Sequence, residues 1–232
     1  MQKNEEKGTL YIVSTPIGNM EDITLRALRI LKEVDLIAAE DNRRTRKLLT
    51  HYNISTTMTS YHDYNKKRKG KELIKKLREG HNVALVSDAG TPGISDPAYH
   101  LIQLSLGEGI NIIPIPGATA IIAALTISGL PTDRFVFEGF LPRKKGMKKK
   151  RKLKEIAEED RTVVLYESPH RLAHTLGEMS SILGERRIVI AREMTKMYEE
   201  ILRGNCESLV KDVKEREWKG EITIVIEGKR KE

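Results

Sequence analysis

A chain of 232 residues, 39% hydrophobic and 32% charged, is long enough for one large or two small domains, each with a buried core. The single cysteine, Cys206, excludes an intrachain disulfide, the polar opening MQKNEEKG has no apolar signal-peptide core, and the longest apolar stretch, residues 121–130, is too short for a membrane span of roughly 20 residues. A cytoplasmic protein with no membrane segment is the expectation, and a net charge of +8 from 41 Lys and Arg against 33 Asp and Glu directs attention to polyanionic partners.

Apolar runs alternate with amphipathic helical stretches, the pattern of an α/β protein built from crossover units. The first strand is expected over residues 9–14. The loop STPIGNMEDIT then opens a helix through Leu25, Leu28 and Leu31, with Asp22 placed to cap it. A strand over 36–39 leads into AAEDNRRTRKLL, whose residues 43–47 form a basic cluster. A second cluster, residues 66–71, begins a helix over 66–79, and His62, Tyr61 and Tyr64 between the clusters are candidates for stacking on bases.

Residues 82–87 form the next strand, apolar enough to be buried on both faces. It breaks into SDAGTPGISDP, where Gly90 and Gly93 permit close backbone approach, Pro92 and Pro97 stiffen the turn, and Asp88 and Asp96 supply fixed acceptors. In an open α/β sheet, ligands lie beyond the carboxyl ends of the strands, where this loop would sit. Asp96 and Pro97 read equally well as the cap and first residue of the following helix.

A strand over 111–115 precedes PIPGATAIIAAL, whose prolines and glycine interrupt the alternation. The domain boundary is placed here, giving an N-terminal α/β domain of residues 1–115 and a C-terminal one of residues 116–232. Further strands are expected over 134–137, 162–166, 187–191 and 221–226. The first half reads as a largely parallel sheet, whereas the second fits a parallel or a mixed one. Between the first two of those strands, nine of the twelve residues 143–154 are Lys or Arg and none is acidic, an electrostatic footprint for nucleic acid on a loop and helix start. Charge enrichment for heat tolerance explains the balanced segment 71–79 but not this run.

Several chemistries find no support. Neither the G-x-G-x-x-G dinucleotide fingerprint nor a G-x-x-x-x-G-K-[ST] phosphate loop occurs, and there is no G-x-S-x-G nucleophile turn. His170, His174 and Glu178 have metal-ligand spacing on a helix, but the H-E-x-x-H pattern is missing, and Ser168 with Pro169 reads more simply as a helix start. No metal is expected.

Taken together, TPIGNMEDIT, SDAGTPGISDP, PIPGATA, YESPHRL and AREMTKMYEE, in this order across residues 8–228, resemble the tetrapyrrole-methylase-like, or class III, S-adenosylmethionine methyltransferases. The likeness is strongest to the branch that acts on ribosomal RNA, although Asn42 stands where that branch usually has threonine. The resemblance implies a two-domain α/β homodimer with the cofactor cleft between its domains. It implies 2'-O-methylation of a cytidine ribose in the decoding region of 16S rRNA, with the small ribosomal subunit as partner and S-adenosyl-L-methionine as cofactor. Cofactor contacts carry over to Pro16 and Ile17, to Asp88, Ala89, Gly90 and Thr91, to Thr119 and Ala120, and to Leu165 and Tyr166.

The 2'-hydroxyl must lose a proton, for which Glu40, Asp41, Asp88 and Glu167 are candidates by loop position. Glu40 and Asp41 serve equally well as simple ion-pair partners of the nearby arginines. Arg43, Arg44 and Arg171 are placed to orient phosphates, and Arg143, Lys144, Lys145, Lys148, Lys149, Lys150 and Arg151 to bind RNA. Two other readings stay open. One is a methyltransferase of the same fold acting on a tetrapyrrole or a modified histidine, and the other a non-catalytic RNA-binding protein of ribosome assembly.

Overall fold

The computed structural model describes residues 6–143 and 146–229. Its chain divides into two compact units, Met1–Thr119 and Ala120–Glu232. In the first, strands β1 (Thr9–Val13), β2 (Leu36–Ala39), β3 (Met58–Ser60), β4 (Val83–Val86) and β5 (Asn111–Ile115) form one sheet in the order β3-β2-β4-β1-β5. Every pairing in it is parallel. A parallel sheet needs a crossover between consecutive strands, and helices α1 (Leu25–Glu33), α2 (Asn42–His51), α3 (Lys66–Arg78) and α4 (Ala98–Gly107) supply it.

The helices cover both faces. Leu10, Ile12, Leu36, Ala38, Val83 and Leu85 pack against Leu73, Ile74 and Leu77 of α3 and Ala98 and Leu101 of α4. Their sequence neighbours Val13, Ile37, Ala39, Ala84 and Val86 point the other way, onto Ala27, Ile30 and Leu31 of α1 and Leu49 of α2. All four residues of β2 and of β4 are buried, which is why these strands read as continuous apolar runs.

The second unit holds helix α5 (Ala120–Ser128), strand β6 (Phe135–Phe140), helix α6 (Met147–Glu158), strand β7 (Thr162–Glu167), helix α7 (Leu172–Leu183), strands β8 (Ile188–Arg192) and β9 (Glu200–Gly204), helix α8 (Cys206–Lys214) and strand β10 (Ile222–Ile226). Its sheet runs β6-β7-β10-β8-β9 and is mixed: β6 and β7 are parallel, and the other pairs antiparallel. One core gathers α6, α7 and α8 over this sheet, with Leu153, Leu176 and Leu209 against Leu165, Ile190 and Ile224. Cys206 lies inside that core, and burial pushes its thiol up to about 12.

The structure departs from the sequence expectations locally. Thr24, not Asp22, caps α1, its hydroxyl accepting from Ala27 N at 3.1 Å. Asp22 ends a separate 3₁₀ turn, Met20–Asp22, capped by Asn19, and the extended backbone at Ile23 and Thr24 parts that turn from the helix. Strands β3 and β9 have no counterpart among the expected strands, because each is half-buried, partly polar and at a sheet edge, where only one side needs partners. Pro97 occupies the cap position of α4 rather than its first turn, and the Asp96 carboxylate accepts from Ala98 N at 2.8 Å. Residues 116–119 stay with the first unit, where Ala118 O accepts from the Thr91 hydroxyl at 3.2 Å.

Candidate active site

The parallel order of the first sheet brings the carboxyl ends of β4, β1 and β5 side by side, and the loops that leave them are laced together. Thr15 N donates to Gly90 O at 2.9 Å and Gly90 N returns the bond to Thr15 O at 3.1 Å. The Ser14 and Thr91 hydroxyls lie 2.9 Å apart. Gly90 has φ +82°, and a Cβ there would stand 3.4 Å from Ile17 Cγ2 and 3.6 Å from Ala118 O, between the two flanking loops. Gly117 is tighter still: a Cβ would meet Ser14 Cβ at 2.8 Å. Pro16, Ala89, Thr91 and Thr119 are half-buried around this junction, while Ile17 is buried. Ser14 and Gly117 were not among the sequence candidates. The signal for Gly117 was present in the two prolines that precede it, Pro114 and Pro116, and in the helix that follows.

One strand further along the sheet, the β2 and β4 ends exchange contacts. Asp88 Oδ1 accepts from Asp41 N at 2.9 Å, Glu40 Oε2 accepts from Asp88 N at 3.4 Å, and Arg44 Nε lies 3.4 Å from Asp88 Oδ2. Asp88 therefore ties two loops and an arginine together. Asp41 caps α2 through Arg43 N at 2.8 Å and pairs with the Arg43 guanidinium at 2.7 Å, and these bonds hold its carboxyl down to about 2. Glu40 is different. It makes no ion pair among the described contacts, and burial followed by the Asp88 charge pushes its carboxyl above the ordinary value. Asp96 is raised as well, chiefly by burial, and the charge of Asp63 acts on both groups.

In the second unit Leu165 and Tyr166 lie on β7. Leu165, expected at the cofactor, is wholly buried in the core and paired with Ile224 of β10, so it exposes no surface to a ligand, whereas Tyr166 is half-buried between Phe137 and Phe140 at ring distances of 4.9 and 5.6 Å. Two expectations need correction. Glu167 is buried at the end of β7, where it pairs with Arg171 at 2.5 Å and accepts from Ser168 N and Thr175 Oγ1, each at 2.7 Å. With both oxygens engaged it is a structural carboxylate and no free base, and Arg171 is spent on it. Lys149, expected on RNA, has a side chain only 4% exposed, 2.5 Å from Glu178 and 3.0 Å from the Thr175 hydroxyl. The periodicity of α6 turns this one lysine inward.

The remainder of the basic run divides. Arg143, Lys148, Lys150 and Arg151 are exposed, Arg151 pairing with Glu155, while Lys144 and Lys145 lie outside the described residues. His170 sits in the 3₁₀ turn Pro169–Arg171 and His174 on α7, 3.4 Å from Glu178. Among the described residues no group of three His, Cys, Asp or Glu could hold a metal ion.

The sequence profile of the tetrapyrrole (corrin/porphyrin) methylases matches residues 9–210, almost the whole of both units. This chain belongs to the tetrapyrrole methylase family. Among its relatives is the ribosomal RNA small subunit methyltransferase I of Halalkalibacterium halodurans, 54% identical over 98% of this chain and 78% of that protein. The protein of the same name from Thermotoga maritima is 48% identical over 96% of this chain and 99% of its own length. A solved cobalt precorrin-4 methyltransferase superposes with a TM-score of 0.73 at 19% identity, covering 94% of each chain, which shows the shared fold.

As a tetrapyrrole methylase the chain is a methyltransferase with S-adenosylmethionine as methyl donor, and its residues suit that donor. Gly90 and Gly117 let the loops that leave β4, β1 and β5 close on one another and so fix the backbone shape of this edge. Three carboxylates lie at the same edge of the sheet: Asp88, beside Arg44, and Glu40 and Asp96, which have no cationic partner among the described contacts. No described helix is long and apolar enough to cross a membrane.

Proposed function

We propose that this chain transfers a methyl group to the 2'-oxygen of a cytidine ribose in the decoding region of 16S rRNA, as a cytoplasmic homodimer acting on the small ribosomal subunit. The observation that carries the reading is the identity of about half the residues, over nearly the whole chain, with proteins named as small-subunit ribosomal RNA methyltransferases. S-adenosylmethionine supplies an electrophilic methyl on a sulfonium, which leaves as a neutral thioether. The chain's own residues then have two tasks, to hold the ribose oxygen in line with that methyl and to take the hydroxyl proton.

Positioning of the donor falls, in the first unit, to Pro16, Ile17, the residues 88–91 and Thr119. Glu40 takes the proton. Of the four carboxylates considered, Asp41 is held by Arg43, Asp88 by Arg44 and the Asp41 amide, and Glu167 by Arg171. Glu40 alone combines a raised proton affinity with the absence of a cationic partner among the described contacts. Its affinity for a proton is thereby closer to what a base working near neutral pH requires.

The test is transfer of radiolabelled methyl to small subunits that lack the modification, with naked 16S rRNA in parallel and nuclease mapping of the labelled nucleotide. Label on a cytidine 2'-oxygen supports the reading, and faster transfer to subunits than to naked RNA supports the assembled substrate. Absence of label on either RNA, with cofactor binding intact, sinks it in favour of a small-molecule or protein acceptor.

A further inference from the structure

The turn that leaves β3 is fixed by its own hydrogen bonds. Asn65 Oδ1 accepts from His62 N at 2.9 Å, Asn65 Nδ2 donates to the Ser60 hydroxyl at 3.2 Å, and His62 O accepts from Asn65 N at 3.0 Å and Lys66 N at 2.9 Å. On this rigid turn the Tyr64 side chain is 101% exposed, whereas Tyr61, three residues earlier, is 1% exposed. Tyr64 therefore buries no surface in the fold, and its ring stands out from the turn with only an edge contact to the His62 ring, centroids 6.1 Å apart.

Its surroundings suit a nucleic acid. Ser60 pairs with Ala39 in the sheet, and Tyr61 N donates to Ala39 O at 2.7 Å, so the turn emerges beside the segment that carries Glu40 and starts α2. The ten residues of α2 include no acid, and its exposed face presents Arg43, Arg46, Lys47 and Thr50 on a broad open concavity of about 680 Å³. Arg44 lies in the first turn, where a cation opposes the helix dipole, while Arg43 beside it is paired with the capping carboxylate of Asp41. Arg46 and Lys47 have no carboxylate partner among the described contacts, unlike Arg68, Lys69 and Arg78 of α3, which are paired with Glu72 and Glu108.

We propose that Tyr64 and the acid-free face of α2 form a platform for single-stranded RNA, Tyr64 stacking on a base that flanks the target nucleotide and Arg46 and Lys47 neutralising backbone phosphates. An exposed aromatic and unpaired cations at the same end of the sheet are what single-strand binders combine, because every base offers a π face and every nucleotide a charge. The platform rests on the rRNA reading above and places its acceptor at the edge where Glu40 lies.

The experiment compares wild type with Tyr64→Ala, Tyr64→Phe, Tyr64→Trp and the double variant Arg46→Gln, Lys47→Gln. Three quantities are read: methyl transfer to unmodified small subunits, cofactor affinity by calorimetry, and anisotropy of a labelled single-stranded RNA of decoding-region sequence. Tyr64→Ala is expected to raise the KM for subunits and the Kd for RNA by about 5- to 100-fold, the factor that loss of one base stack represents, with cofactor affinity unchanged. Phe and Trp should restore both. The double variant should reduce the slope of log affinity against log salt by about 1.4, for two phosphates of a single strand. Wild-type affinity in Tyr64→Ala, or a Phe variant as weak as the Ala variant, would overturn the platform. Tyr64-dependent RNA binding without any methyl transfer by the wild type would uphold it while sinking the proposed reaction.

Discussion

The carboxylates at the sheet edges show how neighbours assign different tasks to one chemical group. Glu40 and Asp41 are adjacent in sequence, yet burial and the Asp88 charge raise the first while Arg43 holds the second near 2. If Glu40 takes the ribose proton, the acidic limb of the kcat/KM profile lies above the ordinary carboxylate range, and Glu40→Gln removes that limb and most of the rate. A profile with the same limb in Glu40→Gln would exclude it. The stability signs are opposite. Glu40 keeps its proton to higher pH when folded, so its contribution to stability declines as pH rises from 4.5 through its raised value. Asp41 contributes stability above 3.8 that is lost as pH falls towards 2. Glu167→Ala should cost about 3–5 kcal/mol in chemical denaturation, because Arg171 is left without its buried partner. Glu167→Gln, whose single amide oxygen still accepts from Ser168 N while its NH2 reverses the contact with the Thr175 hydroxyl, should retain kcat within a few-fold; a collapse of kcat at unchanged stability would restore Glu167 as the base.

At the level of elements, the site is made by strand ends and the loops they release. Sequence showed the loops at residues 14–24 and 87–97 clearly, because glycine, proline and aspartate crowd where apolar runs stop. It did not show that Ser14 and Thr91 touch, since that contact depends on β1 and β4 being neighbours. Nor did it show β3 and β9, whose few half-buried residues carry no apolar pattern. Gly117→Ala forces a Cβ into Ser14 and should destabilise the fold by about 1–3 kcal/mol while weakening cofactor affinity in calorimetry. Thr24→Ala, remote from the laced loops, should cost about 1 kcal/mol through its lost cap and leave cofactor affinity unchanged. An equal effect of both on cofactor binding would mean that general loosening, and not the close approach at Gly117, is being measured.

For the whole molecule, the excess of positive charge sits on particular faces. Helix α6 begins with Met147, Lys148, Lys149 and Lys150 and has no acid in its first turn, like α2 and α3. Unlike α2, which Asp41 caps, α3 and α6 start with cations and have no side-chain cap, so they forgo a favourable dipole interaction that a polyanionic ligand recovers. Replacing Lys148 and Lys150 by Gln should flatten the salt dependence of RNA binding by about 1.4 to 1.8 in slope, whereas Lys149→Gln should leave the slope alone and lower stability by about 1.5–3 kcal/mol. Equal salt slopes in all three proteins would reduce the run to a solvated surface.

Local pattern was enough for the α/β class, for the parallel first sheet, for most strands and for the positions of the glycine- and proline-rich loops at the strand ends, because a strand buried on both faces has to be apolar throughout and a loop that bends sharply has to contain glycine and proline. Pairing required the folded chain. Which carboxylate is free, which lysine is buried and which strands complete the sheet edges all follow from residues far apart in sequence being brought into contact. Glu40 and Glu167 look alike in sequence, each one residue beyond an apolar run. Only Arg171 folded against the second, and the absence of any such cation beside the first among the described contacts, give them different chemistry.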